Sequence, residues 1–285
     1  MAGRDKQSKE RRKLGKELRK SKSSENDRAR THGEILRQQV VEGLSTYYKN
    51  PVGILISSFT AGLEIGFSYL SLCAVFYFFH GKVEEDTVFK LISFAYPVGF
   101  ILVILGRSIL FTEQTSLLAL PVLGKQQALG SLLKLWGLVI IGNLIGGYLI
   151  SAVLIWIGPR LGVFDLETVK SISKHVIDHG AWTLLLSAVL AGWLMGLLSW
   201  LVAASKDTIS RIFFVFMITF VLSFAGLHHS IVGNVEVFAG LLGTTAVSLK
   251  DYLSFQGVSL LGNALGGTVF VALLKYRSFI NAIGN

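Results

Sequence analysis

Two short polar interruptions carry the residues whose chemistry is out of place in an otherwise apolar chain. The first runs Gly106-Arg107-Ser108-Ile109-Leu110-Phe111-Thr112-Glu113, and the second runs from Ala225 through His228-His229-Ser230 to Glu236. A spacing of 120 residues lays Gly106 on Gly226, so the interruptions read as equivalents. Breaks are expected near 108–114 and 228–234. A charge buried this deep in an apolar span costs at least ~2.5 kcal/mol on insertion scales. Unwound backbone at that depth must line a cavity or be buried in protein. Equivalent breaks facing each other therefore outline a polar passage. Histidine is the side chain that exchanges protons near neutral pH. Neighbours on a helix point about 100° apart, so only one of His228 and His229 should face the passage. Arg107 either pairs with Glu113 or Glu236 or attracts anions. Glu64, inside the first apolar run, is either protonated in the interior or set in a water-filled vestibule. No nucleophile–base set, cofactor motif or metal-ligand spacing is seen. His80, His175 and His179 read as solvated positions on the outer side, and the single cysteine, Cys73, as apolar filler.

The elements that must position these residues are membrane spans. Of 285 residues 52% are hydrophobic and 16% charged, with mean hydropathy +0.58. The first 50 residues hold 21 of the 45 charges, which leaves about one residue in ten charged beyond them. Soluble domains run near 25% charged, so a soluble enzyme is excluded and a polytopic membrane protein is expected. Runs long enough to span are 52–80, 89–111, 129–157, 181–204, 209–227 and 252–275, with shorter stretches at 115–123 and 235–247 that read as half-helices. Twenty Lys/Arg fall on the side of the termini and six on the other. The basic tail decides that bias, and it makes both termini cytoplasmic. Residues 1–30 read as a basic, disordered cytoplasmic tail, 31–50 as an amphipathic interfacial helix, 51–277 as the transmembrane channel domain and 278–285 as a cytoplasmic C-terminal tail. The tail suits contact with anionic lipid headgroups, and no nucleic acid partner is expected.

A repeat runs through the spans. Gly137 to Gly147 matches Gly257 to Gly267 at an offset of 120, with Gly142-Asn143 laid on Gly262-Asn263. Ala61-Gly62 matches Ala191-Gly192 at an offset of 130. Each unit has three spans and a half-helix. Three is odd, so the second unit enters the membrane upside down. The fold class is therefore an all-α polytopic membrane protein, six transmembrane helices as two inverted three-helix repeats with two interrupted helices. The glycines permit close helix contact, and Asn143 and Asn263 read as structural hydrogen-bonding residues across it.

At this point the motifs become recognisable. Leu110-Phe111-Thr112, His229-Ser230-Ile231 ahead of Gly233-Asn234, and the two Gly-Asn-x-x-Gly elements resemble the formate/nitrite transporter family over roughly residues 45–277, most closely its YfdC-like branch. That resemblance implies an aquaporin-like fold in a bacterial-type inner membrane, a homopentamer, and passage of small monovalent anions such as formate, nitrite or hydrosulfide, with no cofactor. It makes His229 the central pore histidine, Thr112 the threonine opposite it, and Leu110 and Phe111 part of a constriction. The sequence departs from the family where His228 replaces an acidic residue and where Val176, beside Lys174 and His175, falls on a lysine position. A desolvated His229 is expected to be neutral in an empty pore, and then either to hand a proton to an arriving anion or to hold positive charge. Two other functions stand beside this one. An aquaporin-like channel for neutral solutes lacks its paired Asn-Pro-Ala motif, since Asn50-Pro51-Val52 has no repeat partner. A non-transporting membrane scaffold would work through the basic tail.

Overall fold

The computed structural model describes residues 30–283, with side chains to Ser278. The 1–30 tail, apart from Arg30, and the side chains of the C-terminal segment from 279 onward lie outside the described residues. The chain is built of helices. Their starts are set by local polar chemistry at the ends of apolar runs. Thr31 opens α1 (His32–Tyr47) with a capping box: its hydroxyl accepts from the Glu34 amide while the Glu34 carboxylate accepts from the Thr31 amide. Asn50 caps α2 (Pro51–Phe79), where Pro51 sits in the first turn and needs no amide partner. A short α3 (Glu85–Leu91) and one 3-10 turn lead into α4 (Pro97–Gly106). Then come α5 (Phe111–Leu123), α6 (Leu129–Ile157), α7 (Leu166–Ile177, capped by Asp165), α8 (Ala181–Ala204), α9 (Thr208–Phe224, capped by Asp207), α10 (Ser230–Gly243) and α11 (Leu249–Leu265, with a Ser248–Asp251 capping box). The last continues through a π-helical stretch, Gly266–Leu273, into α12 (Leu274–Ile283).

Five segments are long and apolar enough to cross a membrane: Pro51–Phe79, Glu85–Gly106, Leu129–Ile157, Ala181–Ala204 and Leu249–Ser278. α9 is shorter. Its 17 residues rise about 25 Å, less than a hydrocarbon core of ~30 Å. α5 and α10 are the expected half-helices. They start earlier than the apolar runs suggested, because their first turns are made of the polar residues that had been assigned to the breaks.

The long helices cross in two pairs, α2 on α6 and α8 on α11. Each crossing is a backbone-to-backbone approach. A Cβ on Gly62 would overlap the Asn143 carbonyl, and one on Gly192 would overlap the Asn263 carbonyl. Only glycine admits that distance. α1 lies against α5 and α8. Its Gly43 meets the Leu117 carbonyl, and its Gln39 side chain donates to the Ser199 carbonyl at 2.9 Å. Just ahead of α1, the Arg30 guanidinium donates to the Ala203 carbonyl. α7, not foreseen as a helix, buries Val169, Ile172 and Ser173 against α10.

Candidate functional site

Both breaks fall where α4 and α9 stop short. α4 ends at Gly106, Arg107 turns left-handed (φ 58°), and α5 restarts at Phe111. α9 ends at Phe224, Gly226 turns left-handed (φ 64°), and α10 restarts at Ser230. The freed backbone groups are taken up by one asparagine in each case. Asn143 donates from Nδ2 to the carbonyls of Ser58 (2.7 Å) and Ile109 (2.9 Å) and accepts from the Phe111 amide (2.8 Å). Asn263 donates to the carbonyls of Ala188 (2.7 Å) and His228 (3.0 Å) and accepts from the Ser230 amide (2.8 Å). A serine completes each frame: the Ile109 amide donates to Ser57 Oγ and the His228 amide to Ser187 Oγ. These pairings set the equivalence of the breaks at 119 residues, one less than the offset of 120 suggested by glycine matching. Arg107 corresponds to Gly226, and Leu110 to His229. Ser57 and Ser187 went unnoticed in the sequence, although they share the 130-residue offset of Gly62 and Gly192.

Thr112 and His229 meet across the molecule, with Thr112 Oγ1 2.7 Å from His229 Nε2. His229 is also the residue that caps α10. Its Nδ1 accepts from the amides of Ile231 and Val232, both at 3.2 Å. Amides only donate, so the neutral ring carries its proton on Nε2 and donates it to Thr112. The edge of Phe100 closes one side, with ring centroids 5.0 Å apart and planes at 87°. Leu110, Phe111, Thr112 and Ser230 are buried. His228 turns away from this contact. Its Nε2 donates to the Val176 carbonyl at 3.0 Å, and its Nδ1 accepts from Ser187 Oγ at 2.7 Å. The 100° expectation does not apply here, because residues ahead of Ser230 are extended (His229 φ −100°, ψ 122°) and their side chains alternate.

The contact lies between two cavities. One, of about 250 Å³, is on the side of α3 and α7; His228, His229 and Glu236 line it, and we term it distal. The other, of about 420 Å³, lies beside α1; it is lined by Arg107, Ser108, Glu113 and Gln114 together with Glu42 and Arg211. The expected pairing of Arg107 is not found among the described residues: no ion pair joins it to Glu113 or Glu236. Glu236 is on the distal side, out of reach, and the left-handed turn aims Arg107 into the cavity it shares with Glu113. Glu64 lies against Gly106, its Oε2 buried without a partner. Among the described residues, no group of three or more His, Cys, Asp or Glu is placed to hold a metal ion.

The family model described as formate/nitrite transporter matches residues 33–277. The chain belongs to the formate/nitrite transporter family. Relatives within it include the inner membrane protein YfdC of Escherichia coli (29% identical over 267 residues, 90% of this chain and 81% of that protein). Another is a probable formate transporter of Methanothermobacter thermautotrophicus (26% identical, 81% of this chain and 91% of that protein). Among solved structures, an FNT family ion channel superposes with a TM-score of 0.79 over 86% of this chain and 99% of that one, at 21% identity. A pentameric formate channel with formate bound superposes with a TM-score of 0.67 over 81% of this chain and 98% of that one, at 18% identity. The all-helical membrane fold of this formate/nitrite transporter family member is thus shared with channels of known structure. Phe100, at the central contact, and Ser187, behind His228, are residues that sequence motifs did not mark.

Proposed function

We propose that the chain passes small monovalent weak-acid anions of the formate, nitrite or hydrosulfide class through the Thr112–His229 contact. It does so as six spans in two inverted three-helix repeats, in an inner membrane with both termini cytoplasmic, and as a homopentamer like its formate-channel neighbour. The observation that carries this reading is a hydrogen-bonded histidine and threonine set between two cavities, where a dehydrated solute must meet them. A bare anion is costly in an apolar constriction. Neutral His229 offers it the Nε2 hydrogen. The Thr112 hydroxyl hydrogen, without an acceptor among the described residues, can turn to it. The first-turn amides of Thr112 and Glu113 have no side-chain cap and add donors at the positive end of α5. An anion held there crosses as the neutral acid once it takes a proton. If His229 is to supply that proton and remain neutral, it must first gain one on Nδ1, which requires the Ile231 and Val232 amides to let go. Proton linkage and the first turn of α10 are then coupled. Arg107, Glu113, Glu236 and Glu64 set the field around the path.

The test is flux into liposomes across pH 5–8. Formate and nitrite should pass, and glycerol should not. His229→Asn keeps a capping oxygen for α10 but cannot titrate, so its formate flux should lose most of its pH dependence. His228→Asn should keep it. Glycerol flux without formate flux would replace this reading with a neutral-solute channel.

A further inference from the structure

The distal cavity opens through a cluster that this permeation path leaves unused. His175, in the last turn of α7, stacks on Phe89 of α3 with ring centroids 3.7 Å apart and planes 12° apart. His179, just past α7, lies 6.5 Å from the His175 ring and 5.0 Å from the His228 ring. Lys90 is anchored at the same rim, donating to the Phe224 carbonyl at 2.8 Å. All of these line the cavity that His229 and Glu236 line more deeply.

Fixed charges around this rim nearly cancel. Glu85 and Asp86 face His175 from α3, and Asp178 from the end of α7. Lys90 and Lys174 oppose them, while Lys170 is already paired with Glu167 at 3.0 Å. His228 has both ring nitrogens engaged, on Ser187 and Val176. The sign of the mouth is therefore left to His175, half-covered by Phe89, and His179 at the exposed rim. Burial, then His179 and Lys90, hold His175 below the ordinary imidazole value, against the opposing pull of Glu85 and Asp86. Its charge is present in acid and absent at neutral pH. The mouth beside α1 is lined by no histidine; its charged groups are Arg107, Arg211 and Lys49 with Glu42 and Glu113.

We propose that His175 and His179 make the distal mouth a pH-dependent attractor for small anions, separate from His229. The inference rests on the anion-permeation reading. A charge near a narrow mouth raises local anion concentration, by about threefold for each charge at ~7 Å in water.

The experiment uses the full chain in liposomes, with formate as probe. The pH is varied on the distal side only and held at 7.5 on the other. The ratio of flux at pH 5.5 to that at pH 8 should fall about threefold to tenfold in His175→Gln/His179→Gln. High salt should compress the ratio in the parent and not in the variant. His175→Lys/His179→Lys should raise flux at pH 8 toward the acid value of the parent, and that variant decides the matter if the glutamine variant fails to fold. An unchanged ratio in the glutamine variant, or no gain in the lysine variant, overturns the inference. Absence of formate flux in the parent would instead remove the permeation reading itself.

Discussion

At the first break the residue ahead of the restarted helix is Leu110; at the second it is His229. Around them the frames match nearly atom for atom. Each has an asparagine with three hydrogen bonds, a serine on the preceding amide, and a left-handed residue after the interrupted helix. Leu110 has no side-chain acceptor, so α5 begins uncapped. His229 satisfies two amides of α10 with its own ring. One scaffold thus yields a helix start that offers donors and another that consumes them. Equal frames also mean that the difference in chemistry lies in single side chains rather than in backbone placement.

The largest effect tests the shared frame. Asn143→Ala and Asn263→Ala each leave one buried carbonyl (Ile109 or His228) and one buried amide (Phe111 or Ser230) unpaired, at about 1–3 kcal/mol apiece. Both variants should lose several kcal/mol of stability to similar extents, read as thermal unfolding in detergent. A large loss in one and none in the other would show that the breaks are not held alike. A smaller effect tests the difference. Leu110→Asn supplies the missing cap, gaining about 1 kcal/mol from it against the lost packing of a fully buried leucine. Net stability should fall by roughly 1–4 kcal/mol, less than in the asparagine variants, while formate flux should drop as the Thr112 and Glu113 amides are taken up. Undiminished flux would mean that those amides do not serve the anion. The smallest effect concerns the left-handed pair. Arg107→Gly makes the first turn like Gly226 and should raise stability by about 1 kcal/mol, measurable as a small upward shift of the unfolding midpoint.

Much of this geometry was legible beforehand. Span three and span four match α6 and α8 end to end, because an uninterrupted apolar run leaves one solution. The approach of Thr112 and His229 followed from the family resemblance of the motifs on the two interruptions. What escaped reading depended on groups the pattern does not carry. The register of the breaks is set by backbone carbonyls and amides meeting Asn143 and Asn263, and glycine matching missed it by one residue. The helix α7, at 12 residues, is too short to show as a membrane-length run; its signals are the cap Asp165 and the buried Val169 and Ile172 at helical spacing. The π-helical stretch at Gly266–Leu273 has no sequence signal apart from Gly266-Gly267, which brings α11 against Val189 and Thr115.

The seating of α1 has a consequence for how the chain is built. Its contacts fall in two groups. Gly43 meets the Leu117 carbonyl of α5 and the Tyr47 hydroxyl donates to the Leu118 carbonyl 71 residues on, whereas Gln39 reaches Ser199 across 160 residues and Arg30 reaches Ala203 across 173. The second set of acceptors does not exist while the early spans are being synthesised and inserted. α1 can therefore lie on α5 early, but the polar ties near its leading end close only after α8 has emerged. A chain halted before Ser199 would hold α1 by α5 alone.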